Sequence, residues 1–404
     1  MQRSHDPAQA STTMRDPLVA ASSSPNEILF LHEAFQQARM RGDWETCHAL
    51  LRCLRRDVAD DPSDLQQQLA QWEAELLLAQ EQPALVLATL FPLVSTCESE
   101  ALRGRALLQL GNVAAARYHL HLGLQLARAS RQRKQALDLL CLLGYLARRR
   151  GDFEQAMSFY RLAQQRCVSG WSASTLATVL NNMANIFSLR GQTTAAQRVC
   201  IIARRLREQL SRMGRLRQAA LGLSMSTQGL ILLRAGMLHD AEAHFHTALD
   251  RFERCGYRRG MEMACHRLGQ VALERGHLNQ ANRWLVQMAH PLDPEVAIMH
   301  EHLRGQLATQ QGDLSGAATH FQHALALAAQ QGDRYHYVEN LLGLAGTWER
   351  LHLVAEARQW WQAAVLLCRQ AHYPLLLTQV PAALRLHLAP DRSRSLPIPY
   401  PGRT

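Results

Sequence analysis

The sequence predicts an all-α solenoid of stacked antiparallel helix hairpins. Three observations carry this: a helical hydrophobic rhythm along nearly the whole chain, a fixed internal period, and glycines that recur at one phase of that period. The 404 residues are 47% hydrophobic and only 6% aromatic, enough chain for a large core. Between about residues 26 and 388 almost every window places apolar side chains at i, i+3, i+4 and i+7. Prolines are confined to breaks such as Pro62, Pro83, Pro92, Pro291, Pro294, Pro374 and Pro381. This is the pattern of amphipathic helices joined by short turns.

The period shows as columns. Small residues stand at Gly104, Gly144, Ala184, Gly229, Gly269, Gly305 and Ala345. Seven positions after each comes Gly111, Gly151, Gly191, Gly236, Gly276, Gly312 or His352. Twelve after the first column lies an unbroken alanine series, Ala116, Ala156, Ala196, Ala241, Ala281, Ala317 and Ala357, and sixteen after it a bulky one that includes Tyr160, Phe245, Phe321 and Trp361. Glycine inside a helix costs about 1 kcal/mol relative to alanine, so its return at one phase points to close helix contact. The second glycine is placed to end the first helix in a left-handed cap, and the apolar residue two later opens the partner helix. The bulky residue is expected to fill the gap between hairpins. A hairpin with two apolar faces cannot bury itself alone, so neighbours must stack.

These columns resemble the tetratricopeptide repeat family. Leu143-Gly144, Gly151-Asp152-Phe153, Ala156, Tyr160 and Ala163 follow its order, and the hairpins from Gly229, Gly269 and Gly305 come close to it. The resemblance implies a right-handed superhelix over residues 95–370. Ahead of it, Phe35, Gly42-Asp43-Trp44, Cys47 and Leu51 read as one degenerate repeat, and Trp72 to Leu93, around a Gln80 to Pro83 turn, as another. The expected organisation is a disordered tail over 1–25, degenerate repeats over 26–94, the solenoid over 95–370, a capping helix over 371–388 and a disordered Pro-rich tail over 389–404. About nine hairpins result.

First-column residues are separated by 40, 40, 45, 40, 36 and 40 positions, longer than the usual 34. Such versions resemble the sensor regions of maltotriose-activator-type bacterial transcription regulators and of related peptide-responsive regulators. Those regulators add a nucleotide-binding domain and a helix-turn-helix, for which neither tail leaves room. A sensor or scaffold is therefore expected rather than a complete transcription factor.

Several chemistries are excluded by composition and spacing. Subtracting 34 acids from 44 bases leaves +10, and every base except Lys134 is arginine. A phosphate-binding Walker loop needs glycine before its lysine, whereas Lys134 follows Arg133. His32-Glu33 and His300-Glu301 begin like zincin motifs, but Gln36 and Arg304 stand where the second histidine is required. His320 and His323 share a helix face and read as surface or interface groups. With no nucleophile elbow and no dinucleotide fingerprint, no catalysis, cofactor or metal is expected. Nine cysteines without a C-x-x-C pair read as reduced thiols, and neither a secretory leader nor a stretch of roughly 20 apolar residues is present. A cytoplasmic protein away from the membrane is the expectation.

The first helices of a stacked-hairpin solenoid line its concave face, where curvature converges side chains on a ligand. In the family that the columns resemble, the positions three before and one after the small column face that groove, and an asparagine two before it often bonds ligand backbone. The resemblance thereby places Asn181, Asn182 and Asn185 in one repeat, His266 and Gln270 in a second, and His302 and Gln306 in a third. Tyr145 with Arg148 and Arg149 adds a cationic end. Asparagine donates and accepts, which suits a peptide backbone, while Asn182 and Asn185 read equally well as inter-repeat bonds. A basic edge runs through Arg198, Arg204, Arg205, Arg207, Arg212, Arg215 and Arg217 against one acid, Glu208. It suits an acidic protein or, less well because no aromatics interleave, nucleic acid. The function expected is a non-enzymatic scaffold or regulatory sensor that binds a protein or peptide. The alternative is a transcription-associated regulator using the arginine edge, and a small-ligand effector domain is a third reading.

Overall fold

The structure, a computed structural model, describes residues 25–387 except 42, 58–62, 168–171, 213–217, 289, 290 and 292. Among the described residues it consists of twenty helices and no strand. The first eighteen form nine hairpins. Ahead of the well-formed repeats lie α1 (Pro25–Arg41) with α2 (Trp44–Asp57), and α3 (Ser63–Ala79) with α4 (Pro83–Leu90). Then come α5 (Cys97–Gln109) with α6 (Val113–Ala129), α7 (Arg133–Arg149) with α8 (Phe153–Arg166), and α9 (Ala173–Leu189) with α10 (Thr193–Arg212). The last four pairs are α11 (Gln218–Arg234) with α12 (Leu238–Arg254), α13 (Arg258–Glu274) with α14 (Leu278–Gln287), α15 (Pro294–Gln311) with α16 (Leu314–Gln331), and α17 (Arg334–Arg350) with α18 (Val354–Ala371). The expected tails lie outside the described residues, save Pro25, which opens α1. Where one capping helix was expected over 371–388, two short ones stand, α19 (Pro374–Thr378) and α20 (Ala382–His387). Pro381 divides them, because it lacks an N–H and restricts the residue before it.

Each column has a visible cause. A Cβ added at Gly144 would lie 2.4 Å from the Tyr160 ring, and one at Gly305 2.7 Å from Phe321. The bulky residue sixteen positions on therefore lies on the small residue of its own hairpin, and Phe321 also fills the gap to the next hairpin, where a Cβ added at Gly343 would lie 2.6 Å from its ring. Gly269 is the exception, covered by Leu303 of the following hairpin. The turn column adopts the left-handed region throughout, from φ 72° at Gly191 to 85° at Gly312, and His352 follows at 61°. Asp152 and Asp313 then cap the second helices, their carboxylates accepting from Gln155 N at 3.0 Å and Gly316 N at 2.8 Å. The uneven period is absorbed by these second helices: α10 has 20 residues where the spacing is 45, and α14 has 10 where it is 36.

The superhelix turns far enough to touch itself. Phe153 packs against Tyr335 and Tyr373 at ring distances of 6.3 and 5.1 Å, and the Tyr373 hydroxyl donates to the Gly151 carbonyl at 3.1 Å across 222 residues. Arg149 donates to Gln331 at 2.8 Å, and the Arg259 amide to Glu81 at 3.1 Å. The hairpin tips at Glu81, Gly111 and Gly151 thus rest on the C-terminal repeats.

Two stability changes follow from the columns. Gly305→Val should lower the unfolding free energy by about 1–3 kcal/mol through overpacking against Phe321. His352→Gly should raise it by up to about 1 kcal/mol, since only the L side chain is strained at positive φ. Denaturant titrations of the two variants check both.

Candidate functional site

The odd-numbered helices α7 to α17 converge on an axial cavity of about 240 Å³. A space of that size is too small for a folded domain. Tyr145, Arg148, Arg149, Asn181, Asn182, Asn185, His266 and His302 all border it, whereas Gln270 and Gln306 do not. Asn181 is buried and donates to Thr227 of the next repeat at 3.0 Å, while its Oδ1 has no partner. His302 is also committed to the wall, with Nδ1 2.9 Å from Asn340 Oδ1. His266 is 2% exposed and its Nδ1 is unpartnered. Burial first, then Arg267 and His302, push its imidazole well below the ordinary range, so it is neutral. Asn182 and Asn185 are half-buried on the same wall.

The expected cationic end is a buried latch in which three arginines share two carboxylates. Glu295, buried at the start of α15, accepts from the Tyr145 hydroxyl at 2.9 Å and from Arg259 at 2.6 Å, with Arg148 at 3.4 Å and Arg149 Nε at 3.8 Å. Arg259 also meets Asp293 at 2.7 Å. Burial alone would push the Glu295 carboxyl up, but the fields of Arg149, Arg259 and Arg148 hold it well below the usual range. Burial likewise opposes charge on His336, yet Asp333, 2.8 Å from its Nδ1, raises its pKa with help from Glu339 and Glu295. Glu295, Asp333 and His336 bring ligand atoms within 4.8 Å of one another. That set matches a divalent ion in type, but the guanidiniums on Glu295 already supply its counter-charge. On the outer side of α15, Glu301 gathers His320 at 2.8 Å and His323 at 3.4 Å, a surface pairing.

Cavity residues missed in the sequence include Arg234, Arg259, Arg267, Glu295, Asp333, His336 and Glu339. A signal existed for two of them. Arg267 stands two before Gly269, as Asn182 stands two before Ala184, and Arg234 stands five after Gly229, as Arg149 stands five after Gly144.

Residues 137–166 match the profile of the tetratricopeptide repeat family. The chain carries a tetratricopeptide repeat. Its solenoid superposes on the crystal structure of a Rap protein complexed with competence and sporulation factor over 86% of this chain and 99% of that one, with a TM-score of 0.66 and 14% identity. A human IFIT1 dimer with m7Gppp-AAAA matches over 92% and 83% of the two chains at a TM-score of 0.50 and 13% identity. The apo quorum sensor NprR from B. thuringiensis matches over 84% and 87% at 0.47 and 13%. At such identities the likeness concerns the tetratricopeptide-type fold. No curated protein matches the sequence.

Within this solenoid the basic edge is smaller than the sequence suggested. Arg207 is buried and donates to the Ala220 carbonyl and the Ser224 hydroxyl, both at 2.7 Å, tying α10 to α11. Burial pulls its guanidinium down to about 10. Its chain length lets it reach past the helix surface to those oxygens, which is why a one-dimensional charge count misplaced it. Arg204 is held by Glu208 at 2.6 Å. Arg198, Arg205 and Arg212 are exposed, while Arg215 and Arg217 lie outside the described residues. No helix among the described residues is long and apolar enough to cross a membrane.

Glu295→Gln should cost about 3–5 kcal/mol, because it strands buried arginines, and small-angle scattering should show the superhelix expanding. His336 gives a pH test. A histidine whose folded pKa is raised adds stability that is complete below the unfolded value of about 6.5 and lost as pH rises through the folded one. The melting temperature should fall over that rise in the wild type and lose that slope in His336→Gln.

Proposed function

We propose that this chain is a non-catalytic binding scaffold with a sensory or regulatory role, whose axial cavity takes an extended peptide or peptide-like segment of a partner. The observation that carries the reading is a set of buried polar groups left without partners on the cavity wall, Asn181 Oδ1 and His266 Nδ1, beside the half-buried amides of Asn182 and Asn185. Buried donors and acceptors are ordinarily satisfied, and each such gap costs about 1–3 kcal/mol unless a ligand or water fills it. Backbone amides and carbonyls of an extended peptide supply both kinds of partner. The Rap protein of similar fold, complexed with competence and sporulation factor, supports the same direction. Nine free cysteines, six of them buried, suit a reducing compartment such as the cytoplasm. The nucleic-acid reading is weaker, since the exposed part of the arginine edge among the described residues is Arg198, Arg205 and Arg212.

Asn182→Ala combined with Asn185→Ala should weaken capture of the partner by about 5- to 100-fold, the effect of losing two ligand hydrogen bonds, with helicity unchanged by circular dichroism. Pull-down from native lysate with nuclease present, followed by titration of the recovered partner, makes the measurement. Loss of folding would instead assign both residues to inter-repeat bonding.

A further inference from the structure

Two of the six arginines on the cavity wall have no carboxylate to answer them. Arg148, Arg149 and Arg259 share Glu295 and Asp293, and Arg207 is taken up by carbonyl and hydroxyl oxygens. Arg234 donates to the Ser188 hydroxyl at 3.0 Å and also meets the Tyr335 hydroxyl, and Arg267 donates to the Gln270 side-chain carbonyl at 2.7 Å. Neither has a carboxylate within 4.0 Å among the described residues. A guanidinium carries five donors, so these neutral contacts leave most of each fork unused. Burial first, and then the charge of Arg234, draw the Arg267 guanidinium down to about 10, so the two cations feel each other inside the groove. Glu339 tempers Arg267 from beyond ion-pair distance. The unpartnered Asn181 Oδ1 and His266 Nδ1 lie on the same wall, an independent mark of a place built to be filled.

We propose that Arg234 and Arg267 form the subsite that receives a carboxylate of the bound peptide, so that the groove selects acidic peptides. This rests on the peptide reading above. An anion placed between two forks forms charge-assisted bonds and ends their mutual repulsion. A polyanion such as nucleic acid fits poorly, because only Arg234 and Arg267 among the wall's arginines lack both a carboxylate and a backbone carbonyl partner, too few for a run of phosphates. A single carboxylate flanked by amide and apolar groups matches the wall, which Leu230, Met263 and Met299 line together with the asparagines.

The test is selection of a random short-peptide library on the full chain, in one format with the C-terminus free and in another with it tethered. Wild type should enrich peptides with Asp or Glu in both formats if a side chain is bound, or enrich only in the free format if the terminal carboxylate is bound. The selected peptide, made synthetically, should bind Arg267→Gln about tenfold or more weakly. Its Asp→Asn or C-terminally amidated counterpart should bind wild type with a similar loss, and combining the two changes should add little further. Arg234→Gln repeats the measurement should Arg267→Gln melt early. Peptides enriched with no need for a carboxylate would overturn the acidic-peptide inference and leave the groove reading standing. A library from which wild type enriches nothing would overturn both.

Discussion

The contact on which the architecture depends is the one between a small residue in the first helix of a hairpin and a bulky side chain in the second. Tyr160 on Gly144 and Phe321 on Gly305 bring the two backbones to a distance that no larger residue permits. That distance sets the wedge shape of each hairpin, and the wedge sets the curvature of the stack. Curvature in turn decides that the first helices face an enclosed axis. The cavity is therefore a geometric product of residues that do not line it.

Once the stack has turned through a full circuit, it meets its own earlier repeats, and chemistry takes over from geometry. Phe153, Tyr335 and Tyr373 supply an apolar seam there, while Glu295 supplies a buried charge shared among Tyr145, Arg148, Arg149 and Arg259. Taking such charges out of water is expensive, and a buried ionic cluster adds little net stability over an apolar one. Its value lies in register: only one placement of α7 against α15 satisfies every partner. The same electrostatic matching leaves Arg234 and Arg267 conspicuous, since the wall that pairs three arginines with Glu295 and Asp293 leaves these two without a carboxylate at ion-pair distance.

Most of the fold was legible in the sequence because each repeat states its own rules locally. Gly151, Asp152, Phe153 and Ala156 specify a turn, a cap, a helix start and a close contact within six residues, and the structure realises each of them. The concave position of Asn181, Asn185, His266 and His302 was likewise readable from the repeat phase, whereas Gln270 and Gln306 share that phase and fall outside the cavity. What could not be read was anything set by the meeting of distant repeats. Nothing near Glu295 in the chain announces three arginines, since its partners lie up to 150 residues away. Arg207 was misplaced for a related reason, because its partners Ala220 and Ser224 follow an insertion that breaks the period.

The contact between Tyr373 and Gly151 alters how such a molecule must be made as well as what it holds. An ordinary repeat array is nearly one-dimensional: each unit touches only its neighbours, folding spreads from wherever it starts, and units are gained or lost with little effect elsewhere. Here residues 222 positions apart are joined. The seam raises contact order, so its loop-closure entropy is met only after most of the chain is in place, and the late step belongs to the whole chain rather than to one hairpin. An evolving lineage could not insert or delete a repeat between α8 and α18 without moving one side of the seam off the other. The number of hairpins between them is thereby fixed by ring closure, much as strand number is fixed in a closed barrel.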